Sequence, residues 1–200
     1  MESSTEVENT SLLNVTEFQK IFGHYPNRDK YMIRLGIIGY PGTGKTAFIK
    51  RFCDQVFPTE HKPSMNIELT SEVIRVNNSV IIEVFLYEVA GQTQYIELKN
   101  LFVCGLQGVI VMYAAHYEYS FRKLEYLMTF MDKNLMCKVP ILVVGNSFEG
   151  SEKVVTGEQV QNLCKKFGCD HLSIDAKRFS NSVDKCIGYF ISKLIEGVDI

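Results

Sequence analysis

Residues 39–46 read Gly39-Tyr40-Pro41-Gly42-Thr43-Gly44-Lys45-Thr46 and fit the pattern G-x-x-x-x-G-K-[ST]. An apolar run of strand length precedes them, and apolar residues at helical spacing follow. Glycines let the backbone curl until successive N–H groups point inward, which makes a cradle for phosphate oxygens. This stretch therefore predicts a phosphate-binding loop between a strand and a helix, and a nucleoside triphosphate as the ligand.

Two side chains of the loop carry its charged and metal-binding groups. Lys45 would place a positive charge on the outer phosphates, and the Thr46 hydroxyl would coordinate Mg²⁺. The positive end of the following helix would also attract the anion. Pro41 lacks an N–H group, but the four residues after it can still donate.

Outward from the loop, segments of strand length alternate with segments at helical spacing. Residues 67–76 and 80–88 flank Asn77-Asn78-Ser79, a turn composition that predicts a hairpin. Thr156 followed by Gln159 predicts a capped helix start. Other predicted strands are residues 31–39, 108–115, 139–146 and 171–174, and the predicted helices are residues 46–55, 119–136, 156–167 and 182–195. This alternation predicts a mostly parallel sheet covered on both faces, with ligands at the carboxyl ends of the strands.

Length and composition favour one globular domain over residues 30–200, preceded by an extension at residues 1–29. The chain has 200 residues, of which 46% are apolar, enough for one core. With 21 Lys and Arg against 23 Asp and Glu, the formal net charge of -2 argues against a nucleic-acid partner. The 6 cysteines are scattered, which is typical of reduced thiols in a cytoplasmic protein.

The predicted extension has two parts. Residues 1–11 are polar and acidic, which favours disorder. Apolar residues then recur at near-helical spacing: Leu12, Val15, Phe18, Ile21 and Phe22. We expect a short helix packed on the domain, with a docking segment for a partner as the alternative.

Further motifs follow the other predicted strands. Glu88-Val89-Ala90-Gly91-Gln92 resembles the D-x-x-G-Q element of the Ras superfamily of small GTPases, with Glu88 in place of Asp. His61-Lys62-Pro63-Ser64-Met65-Asn66 is similar to the first switch of that family. Gly145-Asn146-Ser147-Phe148-Glu149 falls where the family has N-K-x-D, and Asp175-Ala176-Lys177 resembles its S-A-K loop. The chain is thus identified as an atypical, Rab-like member of the superfamily.

The resemblance implies an α/β fold, a Ras-like phosphate-loop domain whose six-stranded, mostly parallel sheet is flanked by five helices. It also implies a GTP/GDP switch with Mg²⁺ held by Thr46, Ser64 and Glu88. Lys45 and Gln92 would be the catalytic residues, with Gln92 orienting the attacking water. The implied nucleotide-binding residues are Gly42, Thr43, Gly44, Lys45, Thr46, Ala47, Ser64, Gly91, Asn146, Ser147, Glu149, Ala176 and Lys177. Effectors, exchange factors and activating factors would contact residues 61–69 and 91–102.

The sequence departs from the family pattern at the metal and base ends. Glu88 is one methylene longer than Asp, and Mg²⁺ requires near-ideal octahedral geometry. Ser147 lacks the lysine stem that lies over the purine in the family, and Glu149 replaces the Asp that binds guanine. The ending carries no cysteine for a prenyl group, so we expect no direct lipid anchor. The expected location is the cytoplasm, or the periphery of a membrane or assembly through protein partners.

Three functional hypotheses follow. The first is a Rab-like switch that hydrolyses GTP slowly and acts in vesicle or intracellular trafficking. The second is a pseudo-GTPase that serves as a structural subunit with weak or permanent nucleotide binding, favoured by Glu88, Ser147 and Glu149. The third is an unrelated phosphate-loop kinase or ATPase, which would need an acceptor lid or a conventional Asp that the sequence lacks. Adenine binding at the altered base end stays open.

Overall fold

Seven strands of the described chain form one sheet in the order β1-β3-β4-β2-β5-β6-β7. The computed structural model describes residues 19–20, 29–54, 67–76, 80–89, 105–134, 139–178 and 180–194. The strands are β1 (Gln19–Lys20), β2 (Asp29–Gly39), β3 (Ile67–Arg75), β4 (Val80–Val89), β5 (Gly108–Ala114), β6 (Ile141–Asn146) and β7 (Asp170–Ile174). The β1–β3 and β3–β4 pairs are antiparallel, and the other neighbours are parallel.

The strand sequences reflect how deeply each strand is buried. All residues of β5 are buried, as its continuous apolar sequence requires in a parallel strand covered on both faces. In the central part of β4, buried and half-buried residues alternate. This is the pattern of a strand whose two faces are buried to different degrees. The hairpin predicted from the turn composition at residues 77–79 is confirmed, because β3 and β4 pair antiparallel from Ile67 opposite Val89 to Arg75 opposite Ile81.

Four helices lie in the described ranges and cover the two faces of the sheet. They are α1 (Lys45–Asp54), α2 (Glu118–Asn134), α3 (Gly157–Phe167) and α4 (Ser180–Leu194). Side chains of α1 and α4 share one buried cluster, which includes Phe48, Phe52 and Phe190. Side chains of α2 and α3 share the other, which includes Leu127 and Leu163. Each helix therefore buries its apolar stripe against one face of the sheet.

The start and end of α3 are defined by local chemistry. Thr156 Oγ1 accepts a hydrogen bond from the Gln159 N–H at 3.3 Å, and the Thr156 N–H donates to Gln159 Oε1 at 2.8 Å. This reciprocal pair is a capping box, as the sequence predicted. At the other end Gly168 adopts the left-handed conformation with φ 61°. Its N–H donates to the Cys164 carbonyl, which ends the helix.

The structure confirms the predicted α/β fold, a Ras-like domain with six main strands in a mostly parallel sheet. Strand β1 adds two residues to the sheet at its edge, where Gln19 lies opposite Arg75 and Lys20 opposite Ile74. The helix predicted across residues 12–22 is therefore wrong at residues 19–20, and the remainder of that segment lies outside the described residues. Backbone groups on the open edge of β3 can pair with an extended segment, and this tertiary pairing overrides the helical spacing. The boundary between the extension and the domain stays a prediction.

The topology brings several strand ends to one edge of the sheet. Strand β2 lies between β4 and β5, so the phosphate loop that follows β2 is flanked by the ends of both. Asn146, the last residue of β6, lies opposite Ala114 of β5 and Ile174 of β7.

Within the described ranges, no helix is both long enough and apolar enough to cross a membrane. Within the described residues, Cys164 and Cys169 are half-buried thiols and Cys186 is a buried one.

Candidate functional site

The phosphate loop depends on glycine at two close approaches. Gly39 has φ 152°, and a Cβ placed on it would collide with the Met112 carbonyl of the adjacent strand β5. Gly44 has φ 92°, and a Cβ there would collide with the side-chain amide of Asn146. Both backbone conformations disfavour residues with a side chain. The glycines therefore let the loop lie directly against its neighbours at the carboxyl edge of the sheet.

Lys45 folds back over the loop that precedes it. Its Nζ donates to the Gly39 carbonyl at 3.1 Å and to the Tyr40 carbonyl at 3.3 Å. The residue is only 6% exposed. Burial lowers the pKa of Lys45, and the charge of Glu88 partly offsets that effect. A buried cation held by carbonyl dipoles at the centre of the loop can stabilise an anion placed there.

Thr46 and Glu88 form the part of the predicted metal site that lies in the described residues. Thr46 Oγ1 donates to Glu88 Oε1 at 2.7 Å, and Glu88 is 3% exposed. A hydroxyl that donates its hydrogen keeps its lone pairs, and the carboxylate has a second oxygen. These hard oxygen atoms fit Mg²⁺. No cluster of three or more His, Cys, Asp or Glu suited to a metal lies within the described ranges, so this pair is a partial ligand set.

Asn146 connects the two ends of the site. Its Nδ2 donates to the Thr43 carbonyl at 3.1 Å, and its Oδ1 accepts from the Ala176 N–H at 3.2 Å. The residue is 2% exposed. Because the amide uses its nitrogen on the phosphate loop and its oxygen on the loop after β7, it holds both at fixed positions. The ends predicted to bind phosphate and base thus meet at one side chain.

The loop after β7 is shaped by Asp175. Its Oδ1 accepts from the Lys177 N–H at 3.1 Å and from the Arg178 N–H at 3.0 Å, which closes an Asx turn. The Lys177 side chain pairs with Glu149, with Nζ 3.3 Å from Oε2, and both side chains are about half-exposed. Such an exposed pair contributes at most about 1 kcal/mol. Lys177 therefore competes only weakly with a base for the Glu149 carboxylate, which is the group predicted to bind the base.

The predicted site residues divide into two sets. The first set lies along one edge of the sheet. It consists of the phosphate-loop residues, Glu88 and the predicted base-end residues. Ser147 is joined to that edge by its N–H, which donates to the Ile174 carbonyl at 2.8 Å. Ser64, Gly91 and Gln92 lie outside the described residues. The role of each residue in binding or hydrolysis stays a prediction.

Arg51 and Phe148 make contacts at the site that the sequence did not predict. Arg51 Nε donates to the Ala176 carbonyl at 2.9 Å, across 125 residues of sequence, and its Nη2 donates to the Lys177 carbonyl. The sequence carries no signal for this contact, because any arginine at a helical position looks like a solvated cation. Phe148 was visible inside the base-end motif, but only the fold shows what its ring contacts.

Known proteins resemble this chain over most of its length. The family model described as the Ras family matches residues 34–196. The Ras-related protein Rab-3 of Caenorhabditis elegans is 27% identical over 174 residues, which cover 84% of this chain and 78% of that protein. Ras-related protein Rab-3A of Homo sapiens is 26% identical over 173 residues, with 84% and 78% covered. Ras-related protein SEC4 of Saccharomyces cerevisiae is 23% identical over 165 residues, with 82% and 75% covered.

Proposed function

Because this chain belongs to the Ras family and is a Rab-like small GTPase, we propose that it is a molecular switch that binds GTP and GDP with Mg²⁺ and hydrolyses GTP slowly. The observation that carries the proposal is the pair of hydrogen bonds that Asn146 makes, donating to the Thr43 carbonyl and accepting from the Ala176 N–H. These bonds hold the phosphate loop and the base-end loop at the same edge of the sheet. A nucleotide that spans the edge would contact both loops at once.

At the phosphate end, this chain's own groups supply charge and orientation. Lys45 and the N–H groups of the loop would bind phosphate oxygens, while Thr46 and Glu88, with Ser64, would hold the metal. When bound, Mg²⁺ supplies positive charge to the phosphate oxygens. Gly91 would donate its N–H to the terminal phosphate, and Gln92 would orient the attacking water. Hydrolysis is slow in this proposal, because no arginine is identified that would stabilise the transition state in cis.

The first test is the nucleotide that the purified protein carries and the response of its melting temperature. We expect extraction to release GDP, and added GDP with Mg²⁺ to stabilise the stripped protein by about 2.7 kcal/mol at one hundred times Kd. Lys45→Ala should bind GDP at least about tenfold more weakly, because a hydrogen bond to a charged group contributes about 1.5–3 kcal/mol. Lys50→Ala, an exposed lysine of the same helix, is the matched control and should behave as wild type. A larger response to ADP than to GDP would contradict the guanine assignment.

One observation favours the alternative of a pseudo-GTPase with a structural role. Glu149 already pairs with Lys177 at 3.3 Å, and Ser147 offers no long stem to the base. The extraction experiment separates the two functions. Absence of any nucleotide in the purified protein, together with an unchanged melting temperature in GTP and Mg²⁺, would leave the scaffold function and exclude the switch.

The partners follow from the switch proposal. Effectors, exchange factors and activating factors would contact residues 61–69 and 91–102, in a cytoplasmic or peripheral role in intracellular trafficking. Capture of proteins from a cell extract on GTP-loaded and GDP-loaded chains tests this. Equal retention by the two forms would contradict a switch.

A further inference from the structure

Phe148 extends from the base-end motif to the phosphate loop. The residue is half-buried, and its ring atom Cζ lies 3.6 Å from the position that a Cβ on Gly44 would occupy. Phe148 sits two residues after Asn146, whose side chain also reaches the phosphate loop. The ring therefore lies beside the connection between the two ends of the nucleotide site.

A second ring holds Phe148 in this position. The His116 ring meets it edge to face, with centroids 4.8 Å apart and an angle of 77° between the planes. His116 is exposed and follows β5, so Phe148 lies between the phosphate loop and the segment that leads into α2. Edge-to-face pairs fix ring orientation in addition to burying apolar surface.

The other side chains of residues 146–149 are unsuited to pack on a planar base. Asn146 is buried with its amide engaged at both ends, Ser147 is small, and Glu149 is paired with Lys177. Phe148 is the single aromatic residue among these four. A flat apolar ring matches the π face of a purine, and such stacking contributes about 1–3 kcal/mol per base on alanine substitution.

We infer that Phe148 is the residue that packs against the purine ring of the bound nucleotide, with His116 holding the phenyl ring in place. The inference rests on the proposed function, because it assumes that a purine nucleotide occupies the site. Stacking is insensitive to the hydrogen-bonding edge of a base, since every base has a π face. Phe148 therefore adds affinity for guanine and adenine nucleotides alike, and the choice between them falls to Asn146, Glu149 and Ala176.

A tryptophan at this position provides a direct optical test, because the chain contains no tryptophan of its own. In Phe148→Trp, GDP should change the indole emission in a saturable way, while inorganic tripolyphosphate, which lacks a base, should not. Tyr126→Trp is the matched control, since Tyr126 is 61% exposed on α2, and its emission should ignore both ligands. GDP binding measured by calorimetry without any change in the Phe148→Trp emission would overturn the inference.

Affinity measurements separate stacking from support of the loop. Phe148→Leu keeps apolar volume without a flat ring, and it should weaken GDP binding about 5- to 100-fold while tripolyphosphate binding stays at the wild-type value. Phe148→Tyr keeps a flat aromatic ring, so it should restore most of the GDP affinity that Phe148→Leu loses. Equal losses for GDP and tripolyphosphate would show that the ring only supports the phosphate loop, which overturns the inference. If wild-type protein binds tripolyphosphate but no purine nucleotide, the proposed function fails, and this inference fails with it.

Discussion

At the scale of single residues, the phosphate loop is linked to β4 through one short contact. Thr46 donates to Glu88 at 2.7 Å, and Glu88 is buried close to the charge of Lys45. The sequence raised the question of whether Glu could act where the family has Asp. In this fold the glutamate carboxylate reaches the Thr46 hydroxyl directly, so the two residues are positioned to act as one unit.

A double-mutant cycle on this pair measures how strongly the two residues are coupled. We expect Thr46→Val and Glu88→Gln each to lower the unfolding free energy, and the cycle to give a coupling of about 1.5–3 kcal/mol, since the acceptor is charged and buried. Urea denaturation of nucleotide-stripped protein provides the four free energies. Additive losses, within about 0.5 kcal/mol, would show that the contact does not stabilise the apo protein.

His171 gives the domain a predicted dependence on pH. Its Nε2 lies 3.2 Å from the Tyr113 hydroxyl, and burial lowers the pKa of His171, with the charge of Lys153 lowering it further. Below pH 6.5 the unfolded chain therefore takes up a proton at this residue more readily than the native state does. Stability should fall as pH drops below about 6.5.

The comparison that isolates this effect uses His171→Gln, which keeps a polar side chain but does not titrate. Urea denaturation at a series of pH values between about 7 and 5 should show a shallower loss of unfolding free energy for the variant than for wild type. Lys153 is exposed, and Lys153→Met removes the second cause of the lowered His171 pKa. Its loss of unfolding free energy with falling pH should lie between those of wild type and His171→Gln. Parallel curves for wild type and His171→Gln would contradict the assignment.

At the scale of elements, α1 contributes to both ends of the site. Its first turn carries Lys45 and Thr46, and its second carries Arg51, whose guanidinium donates to the carbonyls of Ala176 and Lys177. A single rigid helix therefore positions the phosphate-binding groups and the base-end loop relative to each other. If the base binds as proposed, this link would let α1 affect base affinity through the position of the base-end loop.

Arg51→Ala should release the base-end loop and weaken GDP binding about tenfold or more, because two hydrogen bonds from a charged group are lost. Tripolyphosphate binding should change little, since Lys45 and the loop N–H groups remain. Arg51→Lys should recover only part of the affinity, because an ammonium cannot reproduce the planar fork of the guanidinium. Calorimetry with both ligands tests this, and equal losses for the two would indicate general damage to α1.

At the scale of the whole molecule, two apolar layers pack on the strands of one sheet. Phe190 of α4 is fully buried in one layer, and Leu127 of α2 is 2% exposed in the other. Gly108 of β5 leaves room for the Phe190 ring, since a Cβ there would collide with it. Both layers pack on the same strands, so neither should unfold alone.

Large-to-small substitutions in the two layers test this cooperativity. Phe190→Ala and Leu127→Ala should lower the unfolding free energy by about 3–5 and 2–5 kcal/mol respectively, because each leaves a cavity. The losses should add to within about 0.5 kcal/mol in the double variant, since the sheet separates the sites. Circular dichroism and tyrosine fluorescence in urea at a fixed GDP concentration should report one coincident transition. Two separate transitions would show that the layers unfold independently.

Local sequence patterns predicted the features that a few neighbouring residues encode. The phosphate loop, the hairpin, the capping box at Thr156 and the order of strands and helices all follow from local spacing and local hydrogen bonding. Most predicted element boundaries lie within two residues of the observed ones, because apolar periodicity changes sharply where an element begins or ends.

Contacts between distant groups could not be predicted from local patterns, because they depend on the packed fold. The pairing of β1 with β3, the Thr46–Glu88 bond, the double role of Asn146, and the contacts of Arg51 and Phe148 all join segments far apart in sequence. Such contacts depend on sheet register and helix placement, which emerge when the whole core packs. A short sequence pattern specifies which chemical groups are present at a strand end, whereas the packed sheet specifies the distance and direction between them.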